Sequence, residues 1–259
     1  KFEYRSVGSK SNSAKAITVL NAIVTEQLLD FKKGVDNLVD TKNMKKDDAI
    51  FNILREIIIE IKDFLLEDYE GKKKANTSEK TNKRDMKPTP ESLLAYLDKS
   101  SVDLFENLKV FSSVELHARC QVDMQSYISE IQIESRTLGD MSLNHIIPTA
   151  IRYQNILIKN VKGIKEIFGE KFKSNANDQL IILEEISDHI KKIINGVDQM
   201  VLARRNANKI EDVNKKAMAY AKMVIPYLNV IRDHCDKLEL TIDDSIWPLA
   251  KYRELLFIR

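Results

Sequence analysis

Two seams of apolar residues near the C-terminus constrain this chain more than any other feature. Leu183, Ile186, Ile190, Ile193, Val197 and Met200 are spaced 3, 4, 3, 4, 3. Val213, Ala217, Tyr220, Val224, Tyr227, Ile231, His234 and Leu238 are spaced 4, 3, 4, 3, 4, 3, 4. Only a helix puts residues at that alternation on one side, and the strict repeat is that of helices packed along their length. The short polar link ARRNANKIED between the seams predicts an antiparallel helical hairpin. Tyr220, Tyr227 and His234 depart from a pure aliphatic seam and are expected where the hairpin meets other elements.

The rest of the chain is read as further helices. With 7 Gly and 5 Pro in 259 residues, a turn-rich β-architecture is disfavoured. A first helix is expected over Ala14–Leu38, with Ser13 as N-cap, and a second over Asp47–Leu66. The Ile-rich run Ile53–Ile59 of the second reads as a buried helix. Short helices follow Thr89-Pro90-Glu91 (to Lys99) and Ser100 (to Leu108). Ser112-Ser113-Val114-Glu115 reads as a capping box that opens a long helix continuing to Phe168. Pro148 predicts a kink or break over residues 144–148 and Pro226 a second kink, because proline lacks an amide donor and crowds the preceding turn. The expected class is all-α, an elongated helical bundle with a long antiparallel hairpin.

Two stretches break this pattern. Lys1-Phe2-Glu3-Tyr4-Arg5 alternates at the two-residue period of a strand and sets Glu3 and Arg5 on one face. From Asp68 to Pro90 large apolar residues almost vanish, and EGKKKANTSEKTNKRDMKPTPE holds seven Lys/Arg against four acids. Without interleaved aromatics for base stacking, this reads as a basic, flexible surface loop rather than a nucleic-acid arm. An RNA-binding role would predict steeply salt-dependent affinity resting on Lys72, Lys73 and Lys74.

A net charge of +2 gives no dominant field for nucleic acid or acidic lipid, and no apolar run is long enough to span a bilayer. Cys120 and Cys235 have no CxxC spacing and read as reduced thiols of a cytoplasmic protein. His117 and Cys120 share a helical face, but two ligands are too few for a zinc site. His145, His189 and His234 read as surface or satisfied bundle residues, and Glu134 as a paired or edge carboxylate. No GxGxxG or P-loop is present.

KFEYRSVGS followed by SNSAKAITVLNAIVTEQL resembles the end of the catalytic domain in type III glutamine synthetases, around KFEFR-x-VGSS and the helix after it. VELHARCQVDMQSYISEIQIESRTLGDM is similar to that family's ELxxR…I-x-x-E-x-x-T-x-x-M helix. IIPTAIRY is similar to ILPAxIRY, VIPYLNVIRDHCDKLE to the proline-containing penultimate helix, and WPLAKYRELLF in part to WPxPTYxDLLF. The resemblance implies that residues 1–40 end the catalytic domain, the strand included, and that 41–259 form the helical C-terminal extension.

It also implies an ATP-dependent ligase that joins ammonia to glutamate through γ-glutamyl phosphate. In that reading Glu3 is a ligand of a Mg2+ or Mn2+ ion, and Arg5 contacts the phosphates of ATP and of the intermediate. The remaining metal, nucleotide and glutamate-binding residues of the family have no counterpart here. This part alone is therefore expected to hold neither cofactor and to be inactive. The implied partners are glutamate, ammonia, ATP and further copies of the chain in a double-ring oligomer, with no nucleic acid and no membrane. The alternative is a free-standing helical scaffold. Residues 1–40 without a barrel would expose the face of the first helix, so the isolated chain is expected to self-associate. The resemblance departs at Ala250, Lys251 and Arg253, positions that bear on how the tail docks.

Overall fold

The computed structural model describes residues 12–62 and 89–256. Every regular element among them is helical. The opening strand, with Glu3 and Arg5, and nearly all of the basic loop lie outside the described residues. The chain divides into two compact units, residues 1–87 with 94–118 and residues 88–93 with 119–259.

In the first unit, α1 (Ala14–Lys42) outlasts the expected Leu38 and stops where Asn43 takes the left-handed conformation, φ 52°. Asparagine tolerates that region better than most side chains, so it terminates the helix. Ser13 makes no capping bond through its side chain; the amide of Ala14 donates instead to Asn12 Oδ1 at 2.8 Å. The next helix, α2 (Lys46–Glu60), carries Asp47 and Asp48 in its first turn, where acids complement the helix dipole. It lies close to α1 at Gly34, where an added Cβ would sit 3.3 Å from Ile53 Cδ1. α3 (Thr89–Leu94), with Pro90 in its first turn, falls in the second unit except for Leu94, whereas the 3-10 turn over Ala95–Leu97 and α4 (Lys99–Asn107) belong to the first. Phe105 of α4, Ala22 of α1 and Leu116 form the buried cluster of this unit, with Phe111 tilted against Phe105 at 5.4 Å between ring centres.

One expectation fails in this unit. The Ile-rich run of α2 is not buried: Ile58 is 54% exposed and Ile59 62%, and only Ala49 of the helix is buried. Two flanking helices would be needed to cover isoleucines at 53, 57, 58 and 59, since these positions wrap around the helix. Among the described residues of its unit, α1 alone packs along α2.

The capping box is present as expected. At the start of α5 (Ser113–Met141), the amide of Ser112 donates to Glu115 Oε2 at 2.8 Å, and the amide of Glu115 to Ser112 Oγ at 3.3 Å. Removing the hydroxyl leaves one end of the box without its acceptor. Ser112→Ala is therefore expected to cost about 1 kcal/mol, read as a shift in the urea midpoint at unchanged m-value.

The second unit is a three-helix arrangement. α5 continues through a π-turn (Ser142–Ile146) into α6 (Ile147–Phe168). A 3-10 turn and the short α7 (Phe172–Asn175) lead to α8 (Asn177–Asn208). Then α9 (Val213–Ala219), a second π-turn (Tyr220–Val224) and α10 (Ile225–Thr241) return alongside α8. A last turn, α11 (Tyr252–Leu255), ends the described chain.

Pairs across α8 show that both neighbours run antiparallel to it. Arg204 meets Ser135, Met200 meets Gly139, and Ser187 meets Gln154; on the other side Asn208 meets Tyr220, Gly196 meets Ile231, and His189 meets His234. The hairpin is thus as the seams predicted. Ile186, Ile193, Val197 and Met200 are buried, as are Ala217, Tyr220, Val224, Ile231 and Leu238.

Neither proline breaks its helix. Each lies two residues after a five-residue π-turn, Pro148 after Ile146 and Pro226 after Val224. Widening the turn carries the carbonyl four residues back away from the ring and accommodates the missing donor, so helical hydrogen bonding resumes past each proline.

The divergent tail docks through Lys251. Its ammonium donates to the carbonyl of Glu239 at 3.1 Å and pairs with Asp244, while its amide donates to Glu254 Oε2 at 3.2 Å. The lysine that departs from the family pattern holds the tail itself.

Candidate functional site

Glu3 and Arg5, the site residues expected from sequence, lie outside the described residues. Within them, no three His, Cys, Asp or Glu side chains converge to hold a metal ion. Cys120 is buried and donates to the carbonyl of Leu93 at 3.4 Å, and His117 is exposed with its ring on the carbonyl of Ser113. Glu134 is exposed and partnered, and His145 is exposed. Both cysteines are free and buried. No described helix is long and apolar enough to cross a membrane.

Sequence periodicity missed the polar groups set into the three-helix body. Ser135, Ser142 and Thr149 are fully buried. Ser135 Oγ donates to the carbonyl of Gln132 and receives Arg204 Nη1 at 3.4 Å; Thr149 Oγ1 receives Arg152 Nη2 at 2.8 Å; Ser142 Oγ lies 3.6 Å from Cys235 Sγ. Gln154 Nε2 ties α6 to α8 by donating to Ser187 Oγ at 2.8 Å. Each short hydroxyl finds a partner within its own turn or on the facing helix, which is why it can stand where a core residue would.

Electrostatics follow burial. Burial raises the Tyr220 phenol, whose hydroxyl donates to Asn208 Oδ1 at 2.7 Å. Burial, and then the like charge of Arg136, lowers Arg204. Burial raises the Cys235 thiol, which keeps it protonated and a poor nucleophile. His234 is lowered, first by burial and then by His189, whose Nδ1 lies 3.1 Å from its own.

A groove of about 490 Å³ between α8 and the second π-turn is lined by Gln199, Leu202, Asn206, Lys222, Met223 and Tyr227 among others. Its ammonium, Lys222, is 3.7 Å from Glu91. Nothing in it pairs a nucleophile with a base.

The surface that stands out belongs to α1 and α2. Leu28 is 61% exposed, Phe51 65% and Val24 55%, alongside Ile58 and Ile59. Single apolar residues on a surface are ordinary, but two paired helices this rich in exposed large side chains mark a face built to be covered.

The described residues thus form an all-helical body with a largely exposed apolar surface on α1 and α2. Residues 49–165 match the family model described as "Glutamine synthetase C-terminal domain". Over its whole length the chain is 41% identical to a glutamine synthetase of Bacteroides fragilis and 26% identical to a type-3 glutamine synthetase of Dictyostelium discoideum, and it covers 36% and 35% of these proteins. A glutamine synthetase of Butyrivibrio fibrisolvens matches 66% of the chain at 21% identity, over 24% of its own length. The chain belongs to the glutamine synthetase family and corresponds to its C-terminal part. It spans about a third of the length of the two relatives it matches throughout.

Proposed function

We propose that the chain works as the C-terminal part of a type III glutamine synthetase, which ligates ammonia to glutamate through γ-glutamyl phosphate at the expense of ATP. The observation that carries this reading is 41% identity to a glutamine synthetase along the entire chain, the opening segment with Glu3 and Arg5 included. Residues 1–40 end the catalytic domain, with Glu3 on a Mg2+ or Mn2+ ion and Arg5 on transferred phosphate. A carboxylate and a guanidinium on one strand face suit charge that develops on a metal-bound phosphoryl group.

Residues 41–259 are the helical extension, which serves assembly of a cytoplasmic homo-oligomer, a double ring in this reading. The exposed apolar face of α1 and α2 supports that division of labour, since it needs the catalytic domain or a neighbouring copy to cover it. Binding of ATP, metal and glutamate belongs to the intact enzyme.

An immunoblot of source-cell extract with an antibody against residues 174–259 tests the reading. A band more than twice the 29.8 kDa of this chain is expected. A sole band near that mass would replace the ligase with a free-standing helical scaffold. The exposed face yields a second expectation: the isolated chain self-associates at micromolar concentration, and Leu28→Asp with Ile58→Asp shifts it toward monomer in sedimentation velocity. A clean wild-type monomer would remove the argument from exposure.

A further inference from the structure

Four histidines occur in the chain, and two of them meet. His189 projects from α8 and His234 from α10, with Nδ1 to Nδ1 at 3.1 Å and ring centres 5.1 Å apart at 37°. Their surroundings are matched across the hairpin. Asp188 precedes the first and is held by Lys192 at 2.6 Å; Asp233 precedes the second and is held by Lys237 at 2.6 Å. Each imidazole is thus flanked on its own helix by one carboxylate–ammonium pair.

In the metal-free protein one Nδ1 carries a proton and donates to the lone pair of the other. The separation fits a second use equally well. With metal–imidazole bonds of 2.0–2.1 Å, two nitrogens 3.1 Å apart subtend about 98° at an ion, between the octahedral and tetrahedral angles. Both rings sit on rigid helices well away from any fraying end, so the bite is set before an ion arrives.

We propose that His189 and His234 form a bidentate site for a late first-row divalent transition ion, with Cu2+, Ni2+ and Zn2+ as the class. Imidazole nitrogen selects these ions over Mg2+ and Mn2+, so this site is separate from any carboxylate-bound metal of the ligase reaction. Binding needs both Nδ1 lone pairs. The proton on one Nδ1 moves to Nε2 of the same ring through solvent, so no net proton is released when both rings are neutral. Water completes the coordination, since among the described residues no third ligating side chain converges there. Asp233 Oδ2, 3.9 Å from His234 Nδ1, is the oxygen nearest to joining if Lys237 releases it. The site is consequently exchangeable and not required for folding.

The full chain is titrated with Cu2+ in a non-coordinating buffer. Electron paramagnetic resonance is expected to show coupling to two nitrogens at one equivalent, and EDTA to reverse it. In proton NMR, ring signals of His189 and His234 should broaden first, while those of His117 and His145 stay sharp. His189→Gln and His234→Gln are each expected to weaken binding at least ~10-fold. The NMR arm needs no variant, so a misfolded substitution leaves the test intact. Single-nitrogen coupling, equal broadening of all four rings, or affinity unchanged in His189→Gln would each overturn the site.

Discussion

Gly196→Leu is expected to destabilise the three-helix body by about 3 kcal/mol, the upper part of the range for overpacking a filled core. At Gly196 an added Cβ alone would lie 2.9 Å from Ile231 Cγ1, closer than carbon atoms approach without something moving. Ile231 is fully buried on α10, and a buried side chain in a close-packed interior has little room to turn into. Leucine adds three further carbons to the same space, so α8 and α10 must separate along the seam.

Gly196→Ala is the informative control. It meets the same 2.9 Å contact but gains helix propensity of ~1 kcal/mol, so its net effect is small. Ile231→Ala opens a cavity at about 2–5 kcal/mol. Combined with Gly196→Ala, it should cost less than the two separate effects together, because the truncated side chain makes room for the new methyl. Urea unfolding of the four proteins measures the cycle. A Gly196→Leu chain within 0.5 kcal/mol of wild type would mean that the helices are not locked at this crossing.

Gly196 also shows where periodicity stops being informative. The seams were legible because Ile186, Ile193, Ile231 and Leu238 are large, apolar and in step, and burial is what such residues gain most from. The approach between helices is set by small residues instead. Gly196, Ala203 and Ala207 are buried, and Ala203 follows Met200 by three residues where the alternation calls for four, so the buried stripe runs on past the point where the strict seam stops. Tyr220 bonds to Asn208 in that last stretch, so a large ring on one helix lies beside small side chains on the other.

The two prolines were visible, but the π-turn ahead of each was not. A π-turn is one way in which a helix takes up a lost amide, and it is itself a usual seat of a kink, so the proline signals the irregularity without specifying its form. The Ile run of α2 misled for a different reason. Hydrophobicity says that a surface is meant to be covered, and it does not say that the covering group is in the described chain. The candidate catalytic pair shows the same limit. Period and spacing placed Glu3 and Arg5 on one face of a strand, whereas their assignment to metal and phosphate rests on family resemblance.

That assignment carries the largest expected effect. If the chain works in a synthetase as proposed, Arg5→Ala in the intact enzyme is expected to lower kcat for glutamine formation by about 10²–10³-fold, the usual cost of removing one preorganised donor to developing charge. Glu3→Ala should act differently. Loss of a metal ligand weakens the ion, so part of its activity should return at high Mg2+ or Mn2+, whereas added metal cannot replace a guanidinium. In the proposed division neither residue belongs to the helical extension, so sedimentation should find both variants assembled as in the wild type. Phosphate release from ATP, with glutamate and ammonia saturating and metal varied, separates the two outcomes. A kcat for Arg5→Ala within about threefold of wild type would reduce Arg5 to an ordinary strand residue, since a contact made to the transition state cannot be lost so cheaply. Metal rescue of Arg5→Ala but not of Glu3→Ala would exchange the two roles. The family reading would then stand on overall identity alone, with the chemistry of this strand reassigned.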